Sequence, residues 1–193
     1  QEGQTFFEYL RDRMISVDTE YQTTEKVTPE SEIERYTGIH KVFCVAFASS
    51  KDEWAVWIDP TKPQEFTHLL DDAAERFGIA DPIFVNYAYE AEWEAFHRLG
   101  DSPERFHWID CYLLYRLKTN IQGAEGKKLK DHRGLVDAVK SMLNVNRDTK
   151  EKQEMRDLCI ADKTEGREQE IMSYCLEDVH DLIPLAISLL DLL

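Results

Sequence analysis

Positively charged residues are scarce in this sequence. Its 193 residues include 23 Lys and Arg against 38 Asp and Glu, which gives a formal net charge of −15 at pH 7. This imbalance argues against a protein that binds nucleic acid through a broad cationic surface, and against docking on an anionic membrane. It permits a metal site, because carboxylate oxygens are the ligands that hard divalent cations prefer.

Glycine, proline and long apolar runs are also in short supply. Eight Gly and six Pro are too few for a fibrous or linker-dominated chain. No apolar run approaches the roughly 18 residues of a membrane span, and the first residues lack the basic region followed by an apolar region that is typical of a signal peptide. We therefore expect no membrane partner. The sequence begins at Gln1 without Met, and we interpret it as a processed or excised piece of a longer chain.

The cysteines show no metal-binding or redox pattern. No CxxC pair or Cys/His cluster indicates zinc or an iron–sulfur centre. The four cysteines are widely spaced in apolar surroundings: Cys44, Cys111, Cys159 and Cys175. This setting predicts buried, reduced thiols and a reducing cytoplasm.

The periodicity of the chain changes from strand-like to helical. Five segments have the alternation or the β-branched and aromatic content of strands: 14–21, 40–49, 53–59, 82–89 and 107–114. The last of them could equally open a helix. Helical spacing is found at 66–77, 90–100, 134–144, 149–162 and from about 167 to the end. We predict one α/β domain over residues 1–193, with a mixed five-stranded sheet flanked by helices.

Asp18 and Glu20 are the first candidate site residues. In a strand, residues i and i+2 project from the same face, about 6.5–7 Å apart. Two carboxylates side by side on a covered strand would repel each other unless a cation lay between them. The alternative is an edge strand with two solvated surface acids.

The segment from Asn86 to Glu90 lies where a predicted strand meets a predicted helix. Such junctions often carry functional side chains, because the scaffold is rigid and the end of the sheet is open. The alternative for Glu90 is purely local, since an acid in the first turn of a helix is favoured by the helix dipole.

Tyr174 and Asp178 lie four residues apart in the last predicted helix. This spacing puts them on one face, about 6 Å apart along the axis. They follow the apolar stripe that includes Ile171 and Leu182, and an acid on the packed side of a helix needs a partner. The alternative is a surface acid on a helix already rich in acids.

The three motifs occur together as D-x-E, N-x-x-Y-E and Y-x-x-x-D. This order resembles the 3′–5′ exonuclease domain of DNA polymerase I-like (family A, phage-type) polymerases, within the DnaQ-like exonuclease superfamily. The segments HWIDCYLLYR and YCLEDVHDL extend the resemblance over roughly residues 14–190. It implies an RNase H-like fold and metal-dependent removal of nucleoside 5′-monophosphates from the 3′ end of single-stranded DNA. A polymerase domain or subunit would be the partner, in the cytoplasm of a phage's host.

The resemblance also implies roles for individual residues. Two divalent cations, Mg²⁺ or Mn²⁺, would be held by four carboxylates: Asp18, Glu20, Glu90 and Asp178. The hydroxyl of Tyr174 would orient the attacking water. Contacts to the end of the strand would come from Tyr21, Asn86 and Tyr89, because stacking on aromatic rings tolerates any sequence.

One position departs from the pattern, since the second motif usually ends in Asp and here ends in Glu90. The longer side chain leaves two alternatives open. The domain could be a catalytically weak or inactive scaffold inside a polymerase, or it could act on RNA, as RNase D-like enzymes with the same motifs do.

One stretch of the chain is clearly basic. Between residues 116 and 133 the basic residues outnumber the acidic ones, and three lysines lie close together: Lys127, Lys128 and Lys130. The hypothesis is that they contact the backbone of the entering strand, and the alternative is a solvated loop. Elsewhere acids dominate, so we expect the domain alone to bind DNA weakly.

Overall fold

The computed structural model describes residues 5–23, 38–121 and 134–192. Its strands are β1 Met14–Thr23, β2 Ile39–Ala48, β3 Glu53–Trp57, β4 Ile83–Asn86 and β5 His107–Asp110. They form one mixed sheet in the order β3-β2-β1-β4-β5. The pairs β1/β2 and β2/β3 are antiparallel, whereas β1/β4 and β4/β5 are parallel. The predicted five-stranded mixed sheet is confirmed, and β1 is its central strand.

Helices flank this sheet. They are α1 Phe6–Arg13, α2 Leu69–Phe77, α3 Tyr89–Leu99, α4 Cys111–Ile121, α5 Leu135–Leu143, α6 Thr149–Ile160 and α7 Glu168–Leu190. The sequence did not predict α1, a short helix without buried residues whose main signal is a capping box between Thr5 and Glu8. In the three described ranges, a membrane-crossing helix of sufficient length and apolarity is not found.

Two helix boundaries illustrate how local chemistry ends or begins an element. Gly78 follows α2 with φ of 68°, a left-handed conformation that glycine adopts readily and that ends the helix. The predicted strand 107–114 is wrong in its second half, because β5 ends at Asp110 and α4 begins at Cys111. The carboxylate of Asp110 accepts a hydrogen bond of 2.9 Å from the backbone N–H of Tyr112, which caps the new helix.

The sheet has a separate apolar core on each face. On one face Ile15 and Val17 pack with α2 and α3, and on the other Met14 packs with α4 to α7. Helix α7 crosses this second face against β1 and β2. Ser16 of β1 donates a hydrogen bond of 2.7 Å to the carbonyl of Val179 in α7. The alternation of β1 therefore points the even-numbered side chains from residue 14 to 20 towards α7.

The cysteines belong to the core. All four are buried, as their apolar surroundings predicted, and none forms a disulfide: Cys44, Cys111, Cys159 and Cys175. Cys175 lies in the part of α7 that covers the middle of β1, so it is the cysteine nearest to the candidate site residues.

Candidate active site

Asp18 and Glu20 project from β1 towards α7 as neighbours. One ligand atom each from Asp18, Glu20 and Cys175 lies within 4.8 Å of the others. Because β1 is the central strand and both carboxylates are partly buried, the alternative of a solvated edge strand is wrong. The predicted same-face pair of carboxylates is present.

Helix α7 supplies Tyr174 and Asp178 from its packed side. Tyr174 is buried, and the Asp178 side chain is only 14% exposed. The Tyr174 hydroxyl donates a hydrogen bond of 3.4 Å to Oδ2 of Asp178. The adjacent Glu177 is exposed and is the ordinary surface acid of this helix. The i, i+4 spacing thus brings a phenol and a carboxylate together, as the sequence predicted.

Cys175 lies against the backbone and the carboxylate of Asp18. Its Sγ is 3.5 Å from both the carbonyl oxygen and Oδ2 of Asp18. Burial raises the pKa of the Cys175 thiol well above its usual range, so the sulfur keeps its proton and acts as a donor. Cys175 therefore orients Asp18 as a hydrogen-bond donor.

Lys152 brings a positive charge to the carboxylates and was missed from the sequence. Its Nζ lies 3.1 Å from Oδ2 of Asp178. Helix α6 holds it there through buried Met155 and Cys159. The spacing of these three residues, i, i+3 and i+7, is the signal that places Lys152 on the packed face of α6.

The electrostatics of the cluster are unfavourable for bare carboxylates. Burial and the nearby Asp178 charge raise the pKa of Asp18 to about 7, although Lys152 opposes the shift. Burial, followed by the charges of Asp18 and Asp178, raises the pKa of Glu20 well above its usual range. Burial lowers the pKa of Lys152, but the carboxylates outweigh it and the net shift is upward. The cluster thus favours bound positive charge or bound protons.

The second motif is divided between an exposed and a buried part. Glu90 lies exposed in the first turn of α3, and the compact ligand group within the described ranges does not include it. Asn86 is fully buried, and its side-chain amide donates a hydrogen bond of 2.8 Å to Glu92. Tyr89 is half-buried against Trp108, with ring centroids 4.9 Å apart.

Glu92 is a buried carboxylate that sequence reasoning did not select. It accepts the Asn86 bond and a hydrogen bond of 3.4 Å from the hydroxyl of Thr19. Burial, and then the charge of Asp18, raise its pKa well above its usual range. Its place beside Ala95 and Phe96 on the apolar stripe of α3 is the signal that could have revealed it.

Asp110 fixes the start of α3 as well as that of α4. Its carboxylate accepts hydrogen bonds of 3.0 Å from the backbone N–H groups of Ala88 and Tyr89. Ala88 has φ of 71°, in the left-handed region that residues other than glycine rarely adopt. Asp110 thus stabilises the sharp turn that presents Tyr89 and Glu90.

The remaining predicted substrate contacts fall in two places. Tyr21 is half-buried in β1, just after the register shift that follows Glu20. The three predicted DNA-contacting lysines lie outside the described residues: Lys127, Lys128 and Lys130.

Comparison of the sequence with protein-family models found no match, and comparison with curated proteins found none either. The chemistry that this site could perform must therefore be inferred from its own side chains. The carboxylates of Asp18, Glu20 and Asp178 are hard oxygen donors, and they fit a divalent cation such as Mg²⁺ or Mn²⁺.

Proposed function

We propose that this protein is a metal-dependent 3′–5′ exonuclease that hydrolyses the terminal phosphodiester of single-stranded DNA. The observation that carries the proposal is the convergence of Asp18 and Glu20 from β1 with Tyr174 and Asp178 from α7. These two elements are distant in sequence. Asp18 and Glu20 belong to one compact group with Cys175. Asp178 lies outside that group but near enough for its charge to act on both carboxylates. The phenol of Tyr174 contacts Asp178. Structural acids rarely collect in this way without a cation to hold.

The topology supports the proposal. The central strand β1 carries two acids and pairs with β4 in parallel and with β2 in antiparallel orientation. This arrangement is compatible with an RNase H-like fold. Asp18 and Glu20 of β1 and Asp178 of α7 lie where the central strand meets the helix that covers it.

Each residue has a distinct task in the proposed reaction. Asp18, Glu20 and Asp178 would hold divalent cations, with Glu90 completing the set from the start of α3. When bound, such cations activate water and stabilise the leaving 3′ oxygen. Cys175 fixes the orientation of Asp18 through its thiol.

Tyr174 would act through its neutral hydroxyl. Burial raises its pKa, and the charge of Asp178 adds to the shift, so the phenol keeps its proton at neutral pH. It can therefore orient an attacking water as a hydrogen-bonding partner without serving as a base. Under this proposal Tyr21 and Tyr89 would contact the terminal nucleotides. Tyr21 packs against the core on the α2 and α3 side of the sheet, and Tyr89 packs against Trp108.

The test uses single-stranded DNA labelled at its 5′ end, in Mn²⁺ and in EDTA. We expect stepwise shortening from the 3′ end, loss of activity in EDTA, and loss of activity in Asp178→Asn. Glu177→Gln is the matched control, because Glu177 is the exposed neighbour on α7 and its neutralisation should leave the rate unchanged. Endonucleolytic products, or equal rates for Asp178→Asn and wild type, would refute the proposal.

A non-catalytic scaffold within a polymerase is the second candidate. The exposed position of Glu90 is the observation that favours it, since an active site needs a fourth carboxylate near the others. Mn²⁺ binding without cleavage of any oligonucleotide would support the scaffold. Cleavage rates of matched DNA and RNA oligonucleotides in the same assay show which nucleic acid is the substrate. Selective cleavage of RNA would indicate an RNase D-like exoribonuclease.

A further inference from the structure

Helix α6 presents two cations to the acidic cluster. Lys152 forms its ion pair with Asp178, and its charge also opposes the raised pKa values of Asp18 and Glu20. Arg156 lies one turn further along α6, on the same face, and its charge acts on Glu20 in the same sense. Two positive groups that act on the candidate site thus belong to α6.

Helix α6 is held in place by buried side chains and by hydrogen bonds at both of its ends. Its Met155 and Cys159 are buried, and Gln22 of β1 donates a hydrogen bond of 3.1 Å to the carbonyl of Ile160 at its end. Asp148 caps its start through the backbone N–H of Lys150. Lys152 is therefore carried by a rigid element, while its long side chain remains 36% exposed and able to change partner.

The charge balance of the site indicates a second binding partner for the Lys152 ammonium group. Under the proposed function, two divalent cations neutralise the four proposed carboxylates. The single negative charge of a phosphodiester then requires one more positive group. A cation bound to Asp178 would compete with Lys152 for the same carboxylate oxygen, so the ammonium would be displaced towards the incoming anion.

We propose that Lys152 is a phosphate-binding residue of this site, which exchanges its contact with Asp178 for a non-bridging oxygen of the terminal phosphodiester when cations bind. This inference rests on the proposed function and adds a protein group that holds the substrate. It also explains how a chain of net charge −15 retains local attraction for a DNA end.

The experiment measures metal binding and DNA binding separately. Lys152→Met removes the charge and keeps most of the side-chain volume, and Lys150→Met is the matched control because Lys150 is exposed on the same helix. Calorimetric titration with Mn²⁺ should show that Lys152→Met lowers the Kd for the metal by roughly threefold to tenfold, since the competing ammonium is gone. The control should change it by less than about twofold.

The affinity for a 5′-labelled single strand of DNA, measured in Ca²⁺, should decrease in Lys152→Met, whereas the affinity for Mn²⁺ increases. We expect Lys152→Met to raise the Kd roughly tenfold and to lower the salt slope by about one, which is the signature of one lost phosphate contact. Lys152→Arg should restore much of the DNA affinity, and it also tests the role if the Met variant does not fold. Thermal unfolding of each variant establishes that it is folded.

The outcomes separate this inference from the proposed function. Weaker binding of both metal and DNA in Lys152→Met would make Lys152 a structural ion pair and overturn the inference. Unchanged binding of both would overturn it as well. If wild type fails to bind Mn²⁺ and behaves like Asp18→Asn, the proposed function itself fails.

Discussion

The side-chain amide of Asn86 donates a hydrogen bond to the carboxylate of Glu92 at 2.8 Å, with both groups buried. Two residues earlier, Glu90 is exposed in the first turn of the same helix. Thr19, which also binds Glu92, points to the α3 face of β1, whereas Asp18 points to α7. Glu90 and Glu92 of α3 therefore have different environments, since Glu92 joins the helix to the sheet and Glu90 is accessible to a ligand.

The first prediction compares neutralisation of these two glutamates. Under the proposed function, Glu90→Gln should lower the exonuclease rate by about tenfold to a hundredfold, because Glu90 would be a metal ligand. The free energy of unfolding should change by less than about 0.5 kcal/mol, because Glu90 is exposed. Glu92→Gln should keep the rate within about threefold, since its carbonyl still accepts from Asn86.

A truncation supplies the complementary measurement. Glu92→Ala should lose about 2–3 kcal/mol in urea unfolding, because it leaves the buried amide of Asn86 without its acceptor. Full activity in Glu90→Gln, together with an inactive but stable Glu92→Gln, would assign the fourth carboxylate to Glu92.

The second prediction concerns pH and the stability of the protein in EDTA. The folded-state pKa of Asp18 is about 7, raised from 3.8 by burial and by Asp178. Between these two values the folded state binds more protons than the unfolded state, so stability falls as the pH rises. We expect a loss of about 2–4 kcal/mol between pH 4 and pH 8 from this group, which is absent in Asp18→Asn.

Divalent cations should reverse this dependence. Saturating Mn²⁺ replaces the bound proton, so its stabilising effect should grow as the pH rises towards 8. Urea unfolding across the pH range, with and without Mn²⁺, measures both effects. A wild-type profile that matches that of Asp18→Asn would show that Asp18 does not carry the shift.

The third prediction isolates the phenol of Tyr174. Tyr174→Phe should lower kcat by about tenfold to a thousandfold, because the water loses an orienting hydrogen bond. The Kd for Mn²⁺ should be unchanged, since the hydroxyl only donates to Asp178. Tyr115→Phe is the matched control, because Tyr115 is equally buried on α4. An equal loss in both variants would indicate a packing effect.

Two pairs of candidate site residues could be placed on common faces from the sequence alone. Residues 18 and 20 follow from the pleat of a strand, and residues 174 and 178 follow from the turn of a helix, so both pairs depend on local geometry alone. The five-stranded mixed sheet also followed from the order of the patterns. Two strand ends were misplaced. The predicted strand 82–89 ends at Asn86, and β5 ends at Asp110, because the capping carboxylate of Asp110 starts a helix within an apolar segment.

Contacts made across the fold were not readable in the same way. Lys152 meets Asp178 only because α6 and α7 pack on the same face of the sheet. Glu92 meets Thr19 only because α3 covers the opposite face. In a chain with 38 acids, periodicity shows which of them face the core, but tertiary packing decides which partners they find there.

The fourth prediction concerns Asp110, whose carboxylate joins the starts of two helices. It accepts hydrogen bonds from the backbone N–H groups of Ala88 and Tyr89 at the start of α3 and of Tyr112 in α4. Asp110→Ala should therefore cost about 2–3 kcal/mol in urea unfolding, more than the roughly 1 kcal/mol lost with an ordinary cap. Asp148→Ala is the matched control, because Asp148 caps α6 alone.

The same substitution should also affect the reaction. Without Asp110, the left-handed turn at Ala88 loses two of the hydrogen bonds that hold it, so Glu90 and Tyr89 are no longer presented in one position. We expect Asp110→Ala to have a lower exonuclease rate than wild type even at temperatures where the variant is fully folded. Asp110→Asn keeps one oxygen acceptor and should have an intermediate rate. Equal costs for Asp110→Ala and Asp148→Ala, with full activity in both, would show that the start of α3 is held without this carboxylate.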